Sequence, residues 1–104
     1  MAILYVTEFS NYNINMNPNQ QGQQPPVNEQ TVALSGASAQ SAAFKSNTNF
    51  VRISNDSSSA INYVFGTNPT AVVSTNARLS AGAAEYFIIP QGQAYKVAAI
   101  NVAL

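Results

Sequence analysis

Hydroxyl side chains and lysines are the first groups to test for chemistry in this chain of 104 residues. A nucleophilic serine or threonine needs a neighbouring base. The sequence has no histidine and no cysteine, so only Lys45 and Lys96 are available as bases. A Ser–Lys dyad is conceivable, but no motif around either lysine supports one. We therefore expect no nucleophilic catalysis.

Paired carboxylates are the second route to catalysis, by general acid–base chemistry. The acidic residues of the chain are Glu8, Glu29, Asp56 and Glu85. The first two flank a polar segment and the third lies in a predicted turn, so we expect these three side chains to be solvated. Glu85 is expected to be an edge charge or a partner of Arg52 or Arg78. None is assigned a catalytic role.

Metal and cofactor sites are not indicated either. Without histidine and cysteine the usual zinc ligand sets are absent, and no Asp/Asn-rich loop has calcium-site spacing. The glycines are isolated, so none forms a phosphate-binding loop. Asn55-Asp56-Ser57 matches the glycosylation tripeptide, a pattern that is common by chance. We expect no enzyme activity, no catalytic residue, no metal and no cofactor.

Low charge is the strongest compositional signal. Charged residues make up 8% of the chain and the acidic and basic residues cancel, against roughly a quarter charged in an average soluble domain. Such a surface has no phosphate-seeking patch, and the aromatic residues lack interleaved basic ones. Nucleic acid and membranes are therefore not expected as partners. Because small domains are marginally stable alone, association is expected.

The N-terminus, MAILYVTEF, carries no basic flank, and its apolar run is shorter than a signal-peptide core or a membrane span. We therefore expect a soluble protein without a cleaved export signal.

Strand-like alternation is clearest in residues 50–69, FVRISNDSSSAINYVFGTNP. Val51 and Ile53 alternate with polar or aromatic neighbours, and the same period of two recurs from Ile61 to Phe65. The Asn/Asp/Ser segment between them is typical of a turn. The pattern predicts a β-hairpin.

Further short strands are predicted on both sides of that segment. The expected strands cover residues 2–9, 31–34, 41–45, 71–74, 85–89 and 94–104, and no window has convincing helical spacing. Residues 85–89 are apolar on both faces apart from Glu85, which predicts a strand enclosed in the core. Seven or eight short strands separated by turns indicate an all-β protein, a single β-sandwich with jelly-roll connectivity among the options.

The first thirty residues are predicted to be an N-terminal strand followed by an Asn/Gln/Pro-rich arm, and residues 31–104 the sandwich body. In residues 11–17, NYNINMN, apolar and amide side chains alternate strictly. The segment 18–30 is interpreted either as a disordered spacer or as an arm ordered by a partner. Apolar residues on this part of the chain are the candidate partner-interface residues: Ile3, Tyr5, Phe9, Tyr12, Ile14 and Met16.

Residues 40–100 carry a family resemblance. QSAAF, then NFVRISNDSSSAINYVFGTNPTA, then ARLSAGAAEYFIIPQGQAYKVAAI resemble small proteins encoded beside the structural genes of tailed bacteriophages. The most recognisable pieces are Val51 to Ile53, Phe65 to Ala71 and Leu79 to Phe87. These are strand and turn signatures without catalytic residues.

The resemblance implies a non-enzymatic virion component, a capsid cement or decoration protein. Such a protein would bind the major capsid protein as a homo-oligomer, a dimer or trimer, on the outer capsid surface. Before assembly it would be soluble in the host cytoplasm. The alternative function is a receptor- or glycan-binding module of a head or tail fibre, with Tyr63, Tyr86 and Tyr95 stacking on sugars. In the simpler interpretation these tyrosines are core or interface residues.

Overall fold

The computed structural model describes residues 2–10 and 26–101. This part of the chain contains no helix, and so none with the length and apolarity needed to cross a bilayer. The prediction of an all-β sandwich is confirmed. The eight strands are β1 Ile3–Phe9, β2 Asn28–Ala33, β3 Ala39–Gln40, β4 Phe50–Asp56, β5 Ile61–Gly66, β6 Ala77–Leu79, β7 Ala84–Ile88 and β8 Lys96–Asn101.

The strands form two four-stranded antiparallel sheets. The first sheet has the order β2-β1-β4-β7 and the second the order β3-β8-β5-β6. Only the β1–β2 and β5–β6 connections join neighbouring strands of one sheet, and the other five pass from one sheet to the other. This is the strand order of a jelly roll in which β1 takes the place of the last strand.

The core lies between the sheets and follows from period-two alternation. Leu4 and Val6 of β1 point inward, opposite Val32 and Ile53 of the neighbouring strands. Each fully buried side chain of this size contributes about 1.5–3 kcal/mol by leaving water. Buried residues of both sheets form one cluster: Leu4, Val6, Val32, Leu34, Phe44, Val51, Ile53, Ile61, Tyr63, Leu79, Ile89, Val97 and Ala99.

The predicted hairpin in residues 50–69 is wrong. Both strands exist, but β4 pairs with β1 and β7, whereas β5 pairs with β6 and β8. Residues 57–60 therefore carry the chain across the core from one sheet to the other. Two strands that face each other across a sandwich show the same alternation as two strands that pair edge to edge, so periodicity does not separate these arrangements.

A buried asparagine fixes this crossover. Asn55 has no exposed surface, and its Nδ2 lies 3.0 Å from the carbonyl of Ser59, 3.2 Å from that of Leu79 and 3.1 Å from that of Ser80. Its Oδ1 accepts a hydrogen bond from the hydroxyl of Ser57 at 2.7 Å. The side chain thus joins the end of β4 to the end of β6, and its burial removes it as a glycan acceptor in the folded chain.

Two predicted strands lie elsewhere. Residues 71–74 lead into a turn rather than forming a strand, and the strand nearby is β6. Residues 41–45 follow β3 without belonging to it, although Phe44 still donates its N–H to the Tyr95 carbonyl at 2.8 Å. Asn76 holds the turn after residue 71, because its Oδ1 accepts from the Val72 N–H at 2.6 Å. Near residue 72 a side-chain hydrogen bond, and near residue 44 a single backbone hydrogen bond to Tyr95, take the place of regular strand pairing.

The strand predicted to be enclosed in the core lies at a sheet edge instead. Among the strands of the described residues, β7 pairs with β4 alone, and it leaves Tyr86 43% exposed and Ile88 63% exposed. Phe87 packs inward against the core. Tyr86 and Ile88, on the face of β7 opposite Phe87, therefore point away from the core.

The division into an arm of residues 1–30 and a body of residues 31–104 does not follow the sheets. β1 is an inner strand of the first sheet, between β2 and β4, and β2 begins at Asn28. The start of β2 at Asn28 was not predicted because residues 28–30 are all polar. Tyr12, Ile14 and Met16 lie outside the described residues.

Replacing Asn55 with Asp tests the crossover. Asp has nearly the same shape but cannot donate to the three carbonyls, and it places a carboxylate against them. We expect the free energy of unfolding to fall by about 2–4 kcal/mol, measured by urea denaturation. The matched control, Asn47→Asp, changes an exposed asparagine and should stay within about 0.5 kcal/mol of the parent. Equal effects of the two substitutions would contradict the assigned role.

Candidate functional site

One face of the first sheet carries the features that suit recognition. Side chains alternate between the two faces of a strand, so one set points away from the second sheet, and the register places Thr7 beside Arg52 and Arg52 beside Tyr86. We call this surface the outer face. It comprises Ile3, Tyr5, Thr7, Phe9, Glu29, Thr31, Ala33, Phe50, Arg52, Ser54, Asp56, Ala84, Tyr86 and Ile88.

Three of the predicted interface residues lie together on the outer face. Ile3, Tyr5 and Phe9 are successive outward positions of β1. Ile3 is half-buried, Tyr5 is 43% exposed and Phe9 is buried. Among these three, Tyr5 is therefore the residue with the most side-chain area available for contact.

An aromatic row crosses the outer face from β1 to the edge strand. The ring centroids of Phe9 and Phe50 are 5.6 Å apart, and those of Phe50 and Tyr86 are 5.5 Å apart with planes at 14°. The Arg52 guanidinium lies 5.9 Å from the Tyr86 ring centroid, a cation–π contact worth about 0.5–1 kcal/mol at an exposed site. Ile88 continues the row at the end of β7.

The sequence alone does not predict most of this row. It places Tyr86 and Ile88 in an enclosed strand and suggests Arg52 only as a partner of Glu85. The alternation of residues 84–88 contained the signal, because Tyr86 and Ile88 occupy one face and Phe87 the other. Which of these faces meets the core depends on the neighbouring strand, which the sequence does not specify.

A polar groove lies beside the row. Its volume is about 490 Å³, and it is lined by Tyr5, Val6, Thr7, Glu29, Gln30, Thr31, Arg52 and Ser54. The groove presents one phenol ring, one carboxylate, one guanidinium and several hydroxyl groups. Such a set suits hydrogen bonding to a polar partner.

The tyrosines considered for sugar stacking differ in exposure. Tyr63 is buried, Tyr86 is 43% exposed and Tyr95 is half-buried. Tyr95 borders a second groove of about 310 Å³ between Phe65, Phe87 and the segment from Ile88 to Pro90. Tyr86 is thus the most exposed of the three, although Phe50 stacks on its ring and the Arg52 guanidinium lies over it.

Tyr63 links the two sheets through Glu85. Its hydroxyl donates to the Glu85 carboxylate at 3.1 Å. Glu85 is an exposed residue of the edge strand β7, as one of the two expectations for it states, and its hydrogen bond is to a phenol rather than to an arginine. Burial, and then the hydrogen bond and charge of Glu85, raise the pKa of Tyr63 from 10.0 to about 12. The contact joins β5 of one sheet to β7 of the other.

Glu8 is not solvated, contrary to expectation: it has no exposed surface. Its Oε2 accepts hydrogen bonds from Asn28 Nδ2 at 2.8 Å and Gln30 Nε2 at 3.0 Å. Its Oε1 accepts from the Lys45 backbone N–H at 2.9 Å and from the Thr48 hydroxyl at 2.8 Å. A carboxylate offers about four acceptor positions, and the four donors occupy them, so the hydrogen-bonding capacity of Glu8 is fully used.

The position of Glu8 in the strand could have revealed this burial. Leu4, Val6 and Glu8 share one face of β1, and that face meets the core. Its hydrogen-bond partners lie in residues 28–30, which were predicted to belong to an arm, and in the loop of residues 45–48. No local sequence pattern identifies them. Within residues 2–10 and 26–101, no group of three or more His, Cys, Asp or Glu side chains is placed to hold a metal ion.

Glu8→Gln tests the saturated carboxylate. The amide brings an N–H donor to a position where only donors face it, so two hydrogen bonds are lost and their donors are left buried. We expect the free energy of unfolding to fall by about 3 kcal/mol in urea denaturation. Glu29→Gln, the same change at an exposed position of β2, should leave stability nearly unchanged. A Glu8→Gln variant as stable as the Glu29→Gln variant would contradict this account.

Alkaline pH tests the contact between Tyr63 and Glu85. Below about pH 10 the phenol is protonated in both the folded and the unfolded chain, so its contribution is fully present. Between about pH 10 and about pH 12 the unfolded chain loses this proton while the folded chain keeps it, so stability falls as pH rises. We expect a loss of about 2 kcal/mol, measured as the difference between the parent and Tyr63→Phe in urea unfolding across this range. Tyr5→Phe, at an exposed ring, should lose stability with pH as the parent does.

No protein-family model, no curated protein and no solved structure matches this chain. A functional assignment therefore rests on the geometry of the outer face and on the resemblance of residues 40–100.

Proposed function

We propose that this chain is a non-enzymatic structural protein of a tailed-phage virion, a capsid cement or decoration protein that binds the major capsid protein lattice. The outer face is its contact surface. The observation that carries the proposal is the exposure of Tyr5, Tyr86 and Ile88 on one face of one sheet. Clustered exposed apolar side chains on a polar surface mark interaction sites.

Low charge supports this role. With 8% charged residues, contacts to a partner depend on apolar area and hydrogen bonds, which salt screens little. Arg52 is the basic side chain of the outer face, and its guanidinium lies over Tyr86. A capsid partner with a neutral, apolar docking site fits such a surface better than a polyanion.

The predicted interface residues keep their place in the proposal. Ile3, Tyr5 and Phe9 contribute to the outer face, and Tyr12, Ile14 and Met16 remain predicted contacts on residues outside the described part. The protein would act as a homo-oligomer on the outer capsid surface after a soluble period in the host cytoplasm.

Glycan binding is a second candidate function, favoured by the polar groove. Tyr5 borders a carboxylate, a guanidinium and hydroxyl groups there, a combination able to stack on and hydrogen-bond a sugar. Tyr63, one of the tyrosines expected in this role, is buried and unavailable. Binding of the isolated protein to a glycan array, lost in Tyr5→Ala, would favour this function over capsid cement.

Capsid occupancy tests the leading proposal. Particles of the phage that encodes the chain, prepared without it, are incubated with purified variants and washed, and the bound protein is quantified by mass spectrometry. We expect Tyr5→Ser and Ile88→Ser each to lower the apparent affinity about tenfold, as removal of a buried apolar anchor does.

Val72→Ser and Val73→Ser are the matched controls. They remove exposed apolar side chains, 47% and 38% exposed, from the turn that precedes β6. They should bind like the parent. Parent protein that fails to bind particles, or equal losses in all four variants, would contradict the proposal.

A further inference from the structure

The four sheet edges differ in how well they are protected against pairing. β3 has two residues and β6 three, too few for a stable ladder. β2 has six, but its sequence NEQTVA is mainly polar and includes Glu29. β7 has five residues and exposes Tyr86 and Ile88, without the lysine or proline that commonly blocks an edge. Its single charged residue, Glu85, is engaged by the Tyr63 hydroxyl of the second sheet. β7 is the least protected edge.

Within residues 2–10 and 26–101, no strand pairs with the outer edge of β7. Ile89 donates its N–H to the Asn49 carbonyl at 2.9 Å, and Asn55 donates to the Ala83 carbonyl at 2.9 Å. Because pairing groups alternate along an antiparallel strand, the odd-numbered residues of β7 face β4. The N–H and C=O groups of Ala84, Tyr86 and Ile88 therefore point away from the sheet.

We propose that β7 pairs antiparallel with β7 of a second copy of this chain, with Tyr86 opposite the partner's Tyr86. Tyr86 is the middle residue of Ala84–Ile88, so this register pairs all five residues. Ala84 then lies opposite the partner's Ile88, a small side chain beside a large one. Three outward N–H groups on each copy form about six hydrogen bonds.

Charge and backbone chemistry select this register over its neighbours. Pairing centred on Tyr86 places Glu85 opposite the partner's Phe87. Pairing centred on Glu85 would place two carboxylates directly opposite, which destabilises a sheet. Pairing centred on Phe87 would place Ala84 opposite the partner's Pro90, which has no N–H to donate.

The paired copies form a continuous eight-stranded sheet and join their two outer faces. Tyr86 and Ile88 keep their side chains on that face, because pairing uses the backbone groups of the edge. Two five-residue strands bury less than a standard interface of about 1,600 Å², so we expect a dissociation constant on the order of 10–100 μM. The dimer is measured with the isolated chain, so its failure and the failure of capsid binding are separate results.

Analytical ultracentrifugation of three proteins tests the edge. Tyr86→Pro removes an outward N–H while leaving the ladder to β4, since proline is tolerated at such edge positions. Thr31→Pro makes the same change on the other long edge. Thr31 faces away from β1 because Leu34 donates to the Ala2 carbonyl and Ile3 lies opposite Ala33. We expect a concentration-dependent dimer for the parent and for Thr31→Pro, and a monomer for Tyr86→Pro.

A charge exchange at the same position tests the register and does not depend on proline. Tyr86→Lys and Tyr86→Glu each place like charges opposite one another across the twofold axis, and each should be monomeric. Their equimolar mixture should form dimers. A parent monomer up to about ten times the expected dissociation constant, a Tyr86→Pro dimer as strong as the parent, loss of dimer in Thr31→Pro, or a mixture that stays monomeric would each overturn the proposal.

Discussion

The carboxylate of Glu8 joins three segments of the chain that are far apart in sequence. Asn28 and Gln30 reach it from β2, and the loop before β4 reaches it through the Lys45 N–H and the Thr48 hydroxyl. Gln30 extends the network, since its Oε1 accepts from the Ala42 N–H at 2.9 Å. A buried carboxyl group is costly unless such donors surround it. With them in place, β2 is held in register against β1, and β1 becomes an inner strand. The position of the outer face depends on this arrangement.

The all-β sandwich could be predicted from the sequence because period-two alternation at Val51, Ile53 and similar positions is a local signal. Strand pairing is not local, and this is why residues 50–69 were interpreted as a hairpin although the two strands lie in different sheets. Asn55 decides the crossover through carbonyls of the β6 end more than twenty residues away. The expectation that Glu8 is solvated is wrong for a similar reason: its hydrogen-bond donors lie in segments whose polar composition is typical of a protein surface. Strand pairing and the burial of Glu8 depend on polar contacts between residues that are far apart in sequence, and the local alternation of side chains does not report such contacts.

The outer face was also predictable only in part, where local alternation was sufficient and strand order was not needed. Ile3, Tyr5 and Phe9 were selected from the alternation of β1, and they do share the outer face. Tyr86 and Ile88 were missed because an apolar run is equally typical of a central strand and of an edge strand that serves an interface. The edge position follows only from the sheet order. Once that order is known, the exposed aromatic and aliphatic side chains, the stacked Phe50 and Tyr86 rings and the unpaired backbone of β7 belong to one surface.

Protection of β7 on assembled particles tests the central claim, that the chain binds capsids through the outer face of the first sheet as a dimer paired at β7. Hydrogen–deuterium exchange of the free chain at low concentration can be compared with that of the chain bound to capsids. Slower exchange upon binding is predicted for the amides of Ala84, Tyr86 and Ile88, whose N–H groups face away from β4. Amides at the edges of the second sheet, in β3 and β6, should exchange at unchanged rates. Protection confined to β3 and β6, with β7 exchanging as in the free chain, would contradict the account.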